Sequence, residues 1–194
     1  MNTYAIIAAS FAVLSASGSA SAINIVQNPG FEEGSLHWRT RFFATEKNLQ
    51  YVHTGAHGIS LTGCTSLTSC LDTPGSGARF GQLLDTREGG TYDLSFWVRS
   101  ASAQSAYSVF WDGVMIARAE QPNGPMIQYS FTGLPVSGEF TMLEVHGYND
   151  KVKRLTFDDF SVVRTVSPVP EPGSVLMLLG GLGVVAGALR RRRA

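Results

Sequence analysis

An all-β fold, a two-sheet antiparallel sandwich, follows from three observations on the sequence. Apolar and polar residues alternate at period two in several runs, and Gly- and Asn-Gly-containing turns separate those runs at short intervals. Between the termini, no stretch sustains a 3.6-residue apolar period over about 12 residues, which argues against long helices.

The clearest strand is Thr91–Arg99, where Tyr92, Leu94, Phe96 and Val98 share one face and Asp93, Ser95, Trp97 and Arg99 the other. Tyr107–Trp111 and Val114–Arg118 flank Asp112-Gly113, a pair that supplies positive φ for a tight hairpin turn. Further strands are expected at Gly58–Leu61, Ala78–Leu84, Ile127–Phe131, Phe140–Gly147 and Arg154–Val163, with Gly89-Gly90 and Asn123-Gly124 as punctuation. Trp38 and Trp111 are expected in the core. No internal repeat is present.

Both termini are set apart from this domain. Residues 1–22 read as a signal peptide: an Ala-rich apolar run through Phe11–Leu14 ends in Ala20-Ser21-Ala22, a small-x-small cleavage pattern. Met1–Tyr4 contain no Lys or Arg, so the amino terminus alone supplies positive charge. Residues 175–194 read as a single transmembrane helix: Val175–Leu189 are all apolar or Gly and would cover roughly 22 Å as a helix. Arg190, Arg191, Arg192 and Arg193 follow and orient the C-terminus to the cytoplasmic side. Between domain and helix, residues 165–174 form an extended linker in which Pro168 and Pro170 deny ladder donors.

The β domain, 23–164, is long enough to bury a core of its own. Without Arg190–Arg193 and Glu171, the chain holds 11 basic and 14 acidic residues. No basic stripe for nucleic acid is apparent. Cys64 and Cys70 are the only cysteines, and in an exported chain an even count points to a disulfide that staples a loop.

Val169, Pro170, Glu171 and Pro172, then an apolar stretch and a terminal Arg cluster, resemble the PEP-CTERM sorting signal over about the last 26 residues. The resemblance implies recognition by an exosortase-type enzyme in the inner membrane of a Gram-negative bacterium, with cleavage near Pro-Glu-Pro. It also implies an itinerary: export through the inner membrane, transient anchoring by the tail, then the cell envelope, the cell surface or the extracellular space. The domain resembles the jelly-roll, carbohydrate-binding-module-like (galactose-binding-like) domains. The residues that carry this are Asn28-Pro29-Gly30-Phe31-Glu32, Trp38, Gly81–Leu84, Gly90–Phe96 and Leu155–Val162. It implies a jelly-roll sandwich with no required cofactor.

The sequence nominates two candidate sites. If the first and last strands pair, the carboxylates of Glu32 and Asp158 meet beside main-chain carbonyls, a hard-oxygen set suited to a structural Ca²⁺ of the kind related jelly rolls carry, with a backbone carbonyl from a Gly-containing loop such as Thr54–Gly58. The alternative makes Asp158-Asp159 a surface or strand-end bulge pair and Glu32 a solvated turn residue. Trp97 and Arg99, with Phe110 on the next hairpin, could form a sugar-stacking platform, since a pyranose packs flat on an aromatic ring. The alternative is a Trp97 covered by a loop or isolated on the surface.

Enzymatic signatures are missing: no Gly-x-Ser-x-Gly elbow, no His-Glu-x-x-His and no phosphate-binding Gly loop. Glu139 and Glu144, five apart on a strand, face opposite ways, and His37, His53, His57 and His146 read as loop or strand residues. The sequence reading is therefore an exported, non-catalytic surface or matrix protein that binds polysaccharide. Its alternatives are a structural or adhesive protein without a sugar ligand, and a hydrolase with a cryptic site.

Overall fold

The computed structural model describes residues 23–62, 64, 66, 70–72, 77–101, 104–120, 124–148 and 154–165. The signal peptide, the transmembrane helix, the sorting motif and all of the linker beyond Thr165 lie outside the described residues.

Ten strands build the domain. They are β1 (Arg39–Arg41), β2 (Phe43–Glu46), β3 (Gly58–Leu61), β4 (Ala78–Asp85), β5 (Thr91–Ser100), β6 (Ala106–Trp111), β7 (Val114–Glu120), β8 (Ile127–Pro135), β9 (Phe140–Tyr148) and β10 (Leu155–Arg164). They pair antiparallel into two five-stranded sheets: sheet I in the order β2-β3-β10-β5-β8 and sheet II in the order β1-β4-β9-β6-β7. From β3 to β6 the chain alternates between the sheets, and after the β6–β7 hairpin it alternates again. This is the two-sheet antiparallel sandwich that the period-two pattern implied, with the jelly-roll form that the family resemblance implied.

The core lies between the sheets. In β5, Tyr92, Leu94, Phe96 and Val98 are buried and the intervening residues are not, as the alternation requires. Phe31, Phe80, Phe96, Tyr107, Phe157 and Phe160 are among the largest fully buried side chains. They meet mostly edge to face, as with Phe31 and Phe80 at 5.7 Å and 87° or Tyr107 and Phe157 at 5.4 Å and 90°. Trp38 and Trp111 are buried as expected, and each indole donates to a backbone carbonyl, of Asn28 and Pro135 respectively.

The structure adds two strands that the sequence did not suggest, the short edge strands β1 and β2. It also places Glu32 in a turn rather than on a first strand. The contact between the domain's ends is made by Asn24, bridged to Val163, with Ile25 donating to the Val162 carbonyl. Asp112 and Gly113 both have positive φ (51° and 78°) and close the β6–β7 hairpin, in line with the Asp-Gly signal.

Strand β10 carries one irregularity. It is in register with β5 up to Asp158↔Trp97 and resumes at Ser161↔Ser95. Asp159, at φ 48°, is the extra residue of a β-bulge. The bulge lets Phe157 and Phe160 both face the core although three positions separate them.

Candidate functional site

Asp158 stands beside Trp97 on the outer face of sheet I, and the loop from Asn48 to His57 lies over both. His53 stacks its ring on the Trp97 indole, 3.6 Å between centroids and 13° between planes. The His53 amide donates to Asp158 Oδ2 at 2.8 Å and the Thr54 amide does so at 3.2 Å. The bulged Asp159 accepts the Thr54 hydroxyl at 2.8 Å and meets His53 Nδ1 at 2.6 Å. One turn further on, Glu32 Oε1 accepts the amides of Ala56 and His57 at 2.9 and 3.1 Å. Glycine at position 55, with φ 69°, is needed there because a Cβ would overlap the Glu32 carboxylate.

Glu32 and Asp158 do therefore converge on one loop. Backbone amides take up the carboxylate oxygens: those of His53, Thr54 and Asp159 on Asp158, and those of Ala56 and His57 on Glu32. Gly30 sits between the acids: a Cβ built on it would lie 3.2 Å from Asp159 Oδ1, 3.6 Å from Asp158 Oδ1 and 4.0 Å from Glu32 Cγ. The electrostatics of the two carboxyls differ. Burial pushes Asp158 up to about 6, against the amides of His53 and Thr54. For Glu32 desolvation is the largest single influence and raises it, but the amides of Ala56 and His57 and the His57 ring together hold it below its ordinary value. Among the described residues, no group of three or more acidic, His or Cys side chains is arranged to hold a metal ion.

The nominated sugar platform is not assembled. Trp97 and Arg99 belong to sheet I and Phe110 to sheet II. Trp97 is half-buried under His53, while Arg99 donates through Nη1 to the Gln50 carbonyl and lies 4.5 Å over the Tyr51 ring. Phe110 is 2% exposed and packs on His146 at 4.6 Å. Both Trp97 and Arg99 thus hold the 48–57 loop against its sheet.

The outer face of sheet II is open over one half only. Strand register places Arg39, Gly81, Glu144 and Phe110 in one row across β1, β4, β9 and β6, and Arg41, Arg79, His146 and Ser108 in the next. The segment that carries the Cys64–Cys70 disulfide crosses the β9–β6–β7 half of this face. Cys70 and Leu71 pack on Ala106, Ser108 donates to the Leu71 carbonyl at 2.7 Å, and Arg118 pairs with Asp72. Beneath that cover His146 is fully buried. Desolvation chiefly, and the Arg79 charge next, push its pKa down to about 4, so it is neutral near pH 7.

On the other half, Arg39, Thr40, Arg41, Arg79, Met142 and Glu144 line a trough of about 160 Å³. Gly81 makes room for it: a Cβ there would sit 2.6 Å from the Leu143 carbonyl and 2.8 Å from Met142 Cε. The trough escaped the sequence reading because β1 was not recognised. Its signal was present as charged residues at i and i+2, Arg39 with Arg41, which a strand brings to one face.

Comparison with known proteins agrees with this architecture. A family 61 carbohydrate-binding module solved in complex with β-1,4-galactotriose has a similar fold, with a TM-score of 0.58 and 18% identity over 74% of this chain and 100% of that one. A family 16 carbohydrate-binding module superposes with a TM-score of 0.52 at 16% identity, over 72% of this chain and 99% of that one. The tandem family 22 modules of Paenibacillus barcinonensis Xyn10C give 0.52 at 14% identity, over 82% of this chain and 50% of theirs. Enzymes that contain a similar domain also match, among them a bacteriophage CBA120 tailspike protein with a TM-score of 0.53 at 17% identity, over 74% of this chain and 22% of that one. No curated protein matches the chain by sequence. Residues 168–193 match the PEP-CTERM protein-sorting motif, so the chain carries that motif behind a jelly-roll domain shaped like carbohydrate-binding modules.

Proposed function

We propose that this chain is an exported, non-catalytic polysaccharide-binding protein of the cell surface or extracellular matrix, delivered through its PEP-CTERM tail. The observation that carries the binding part is the trough on sheet II. Met142 gives it an apolar patch beside Gly81, and its lining carries guanidinium and carboxylate groups able to bond sugar hydroxyls. The outer face of sheet I offers no comparable surface around Trp97, because the 48–57 loop fills it. Affinity electrophoresis of the full-length protein against a panel of soluble polysaccharides tests the reading. Retardation by at least one polymer, without release of new reducing ends, is the expected result. Retardation by none favours the structural or adhesive alternative, and new reducing ends would restore the hydrolase.

The delivery part rests on the motif at 168–193. An exosortase-type enzyme is the expected partner, and the tail the expected membrane contact. Mass spectrometry of protein from its native host should find the last 20 or so residues missing; an intact Ala194 on the bulk of it would leave a plain membrane anchor.

A structural Ca²⁺ at Glu32 and Asp158 belongs to the same proposal. The acids around Gly30 and the buried Asp158 charge support it. The five amides that already bond these carboxylates weigh against it. With the ion bound, a chelator lowers the melting temperature and added Ca²⁺ restores it; an unchanged melting curve disposes of the ion.

A further inference from the structure

We infer that the sheet II trough selects an anionic polysaccharide, one that carries uronate carboxylates, over a neutral one; the inference rests on the polysaccharide-binding reading above. Three guanidinium groups, from Arg39, Arg41 and Arg79, border the trough against the single carboxylate of Glu144. That carboxylate is engaged by Arg79, with Nε to Oε1 at 3.5 Å. Among the described residues, neither Arg39 nor Arg41 has an acidic partner, and Arg41 only lies 5.0 Å over the Phe42 ring. The other arginines of the face are matched: Arg118 to Asp72 here, as Arg154 is to Glu46 on sheet I.

The strand register adds to this. Arg41 is directly opposite Arg79 across the β1–β4 ladder. Like charges opposite one another destabilise a strand pair, and an anion between them reverses the sign. His146, next in the row, adds no negative charge, and Arg79 contributes to holding its ring neutral, so the local field is positive. The domain as a whole is mildly acidic, so attraction of a polyanion has to be local. A planar guanidinium fork matches a carboxylate in two parallel hydrogen bonds, which a neutral sugar hydroxyl cannot reproduce. The i, i+2 spacing of Arg39 and Arg41 puts the two forks about 7 Å apart along β1, able to engage a chain lying along the strand.

The test compares association of the full-length protein with polygalacturonate and alginate, with neutral galactan and xylan, and with polyglutamate as an anion that is not a sugar. The expected result is binding to the uronates at least about tenfold tighter than to the neutral polymers, given charge-assisted bonds, and tighter than to polyglutamate, which has the carboxylates but no sugar ring or hydroxyls for the rest of the trough. It should be lost at about 1 M salt, where the screening length falls to about 3 Å. Arg39→Gln with Arg41→Gln should abolish the preference, and both side chains are exposed, so the fold should survive. Glu144→Gln, which removes the one carboxylate of the trough, should move the affinity the opposite way. Equal binding to neutral and acidic polymers, unchanged in the double variant, overturns the inference and leaves the polysaccharide reading standing. Equal binding to polyglutamate overturns it as a general polyanion patch, and weaker uronate binding by Glu144→Gln overturns the electrostatic account. Binding to no polysaccharide overturns both.

Discussion

Asp158 and His146 are both fully buried, one on each outer face, and burial shifts them in opposite directions. Asp158 is raised to about 6, so between about pH 4 and 6 the folded state holds a proton that the unfolded state has released. Stability therefore falls as pH rises through that window, by about 3 kcal/mol for a shift of this size. His146 is lowered to about 4, so between about 4 and 6.5 the unfolded state binds the extra proton. Its contribution is lost as pH falls through that window, again by about 3 kcal/mol. The two slopes oppose each other, and the wild-type protein is predicted to have a flat stability profile across this range. Asp158→Asn should leave the histidine slope, with stability rising with pH, and His146→Gln should leave the aspartate slope, falling with pH. Urea titrations at about pH 4.5, 5.5 and 6.5 read both directly; parallel profiles in all three proteins would show that neither group is buried as described. Bound Ca²⁺ would stabilise the Asp158 anion and remove its slope, so repeating the series with chelator separates ion from burial.

At the scale of elements, the disulfide segment acts as a roof over half of sheet II. A bridge between residues six apart closes a small ring, worth about 2 kcal/mol in the chain-entropy model. Replacing Cys64 and Cys70 by Ser should cost about that much. It should also loosen Cys70 and Leu71 over Ala106, wet His146, and return the imidazole toward its ordinary range, which proton NMR would follow. A ring that still titrates near 4 would mean that the sheet alone buries it. How well the elements could be read from sequence depended on what determined them. β5 and the β6–β7 hairpin were plain because alternation and Asp-Gly are local signals. β1 and β2 were not, since three- and four-residue edge strands owe their existence to β4 and β3. The bulge was legible in retrospect: in Leu155-x-Phe157-x-x-Phe160-x-Val162 the apolar spacing steps once from two to three. The sequence brought Glu32, Asp158 and the Thr54–Gly58 loop to the same neighbourhood but had the loop offer a carbonyl, whereas it turns amides to the carboxylates, an orientation set by tertiary packing. The Trp97–Phe110 platform failed because a chain that alternates between sheets sends β5 and β6 to opposite sides of the core.

For the molecule as a whole, the two ends of the domain are tied together. Asn24 is bridged to Val163, its side chain accepts from the Val162 amide and donates to the Phe160 carbonyl, and the Gln27 amide and carbonyl are both bonded by the Gln82 side chain of β4. Antiparallel bridge partners lie about 5 Å apart at Cα, so the domain's entry and exit are neighbours at one pole of the sandwich. The fold is thus a nearly closed circuit in which the place where the chain is cut is incidental. A circular permutant that begins at Gly113, ends at Asp112 and joins Thr165 to Ile23 through a short Gly-Ser link should fold to the same sandwich. The new break falls at an exposed hairpin tip, where opening costs little packing. Thermal unfolding should find it within about 2 kcal/mol of the parent domain. A permutant that never acquires near-ultraviolet signal from its buried tryptophans would mean that the order in which the strands leave the two ends, and not merely their adjacency, guides assembly.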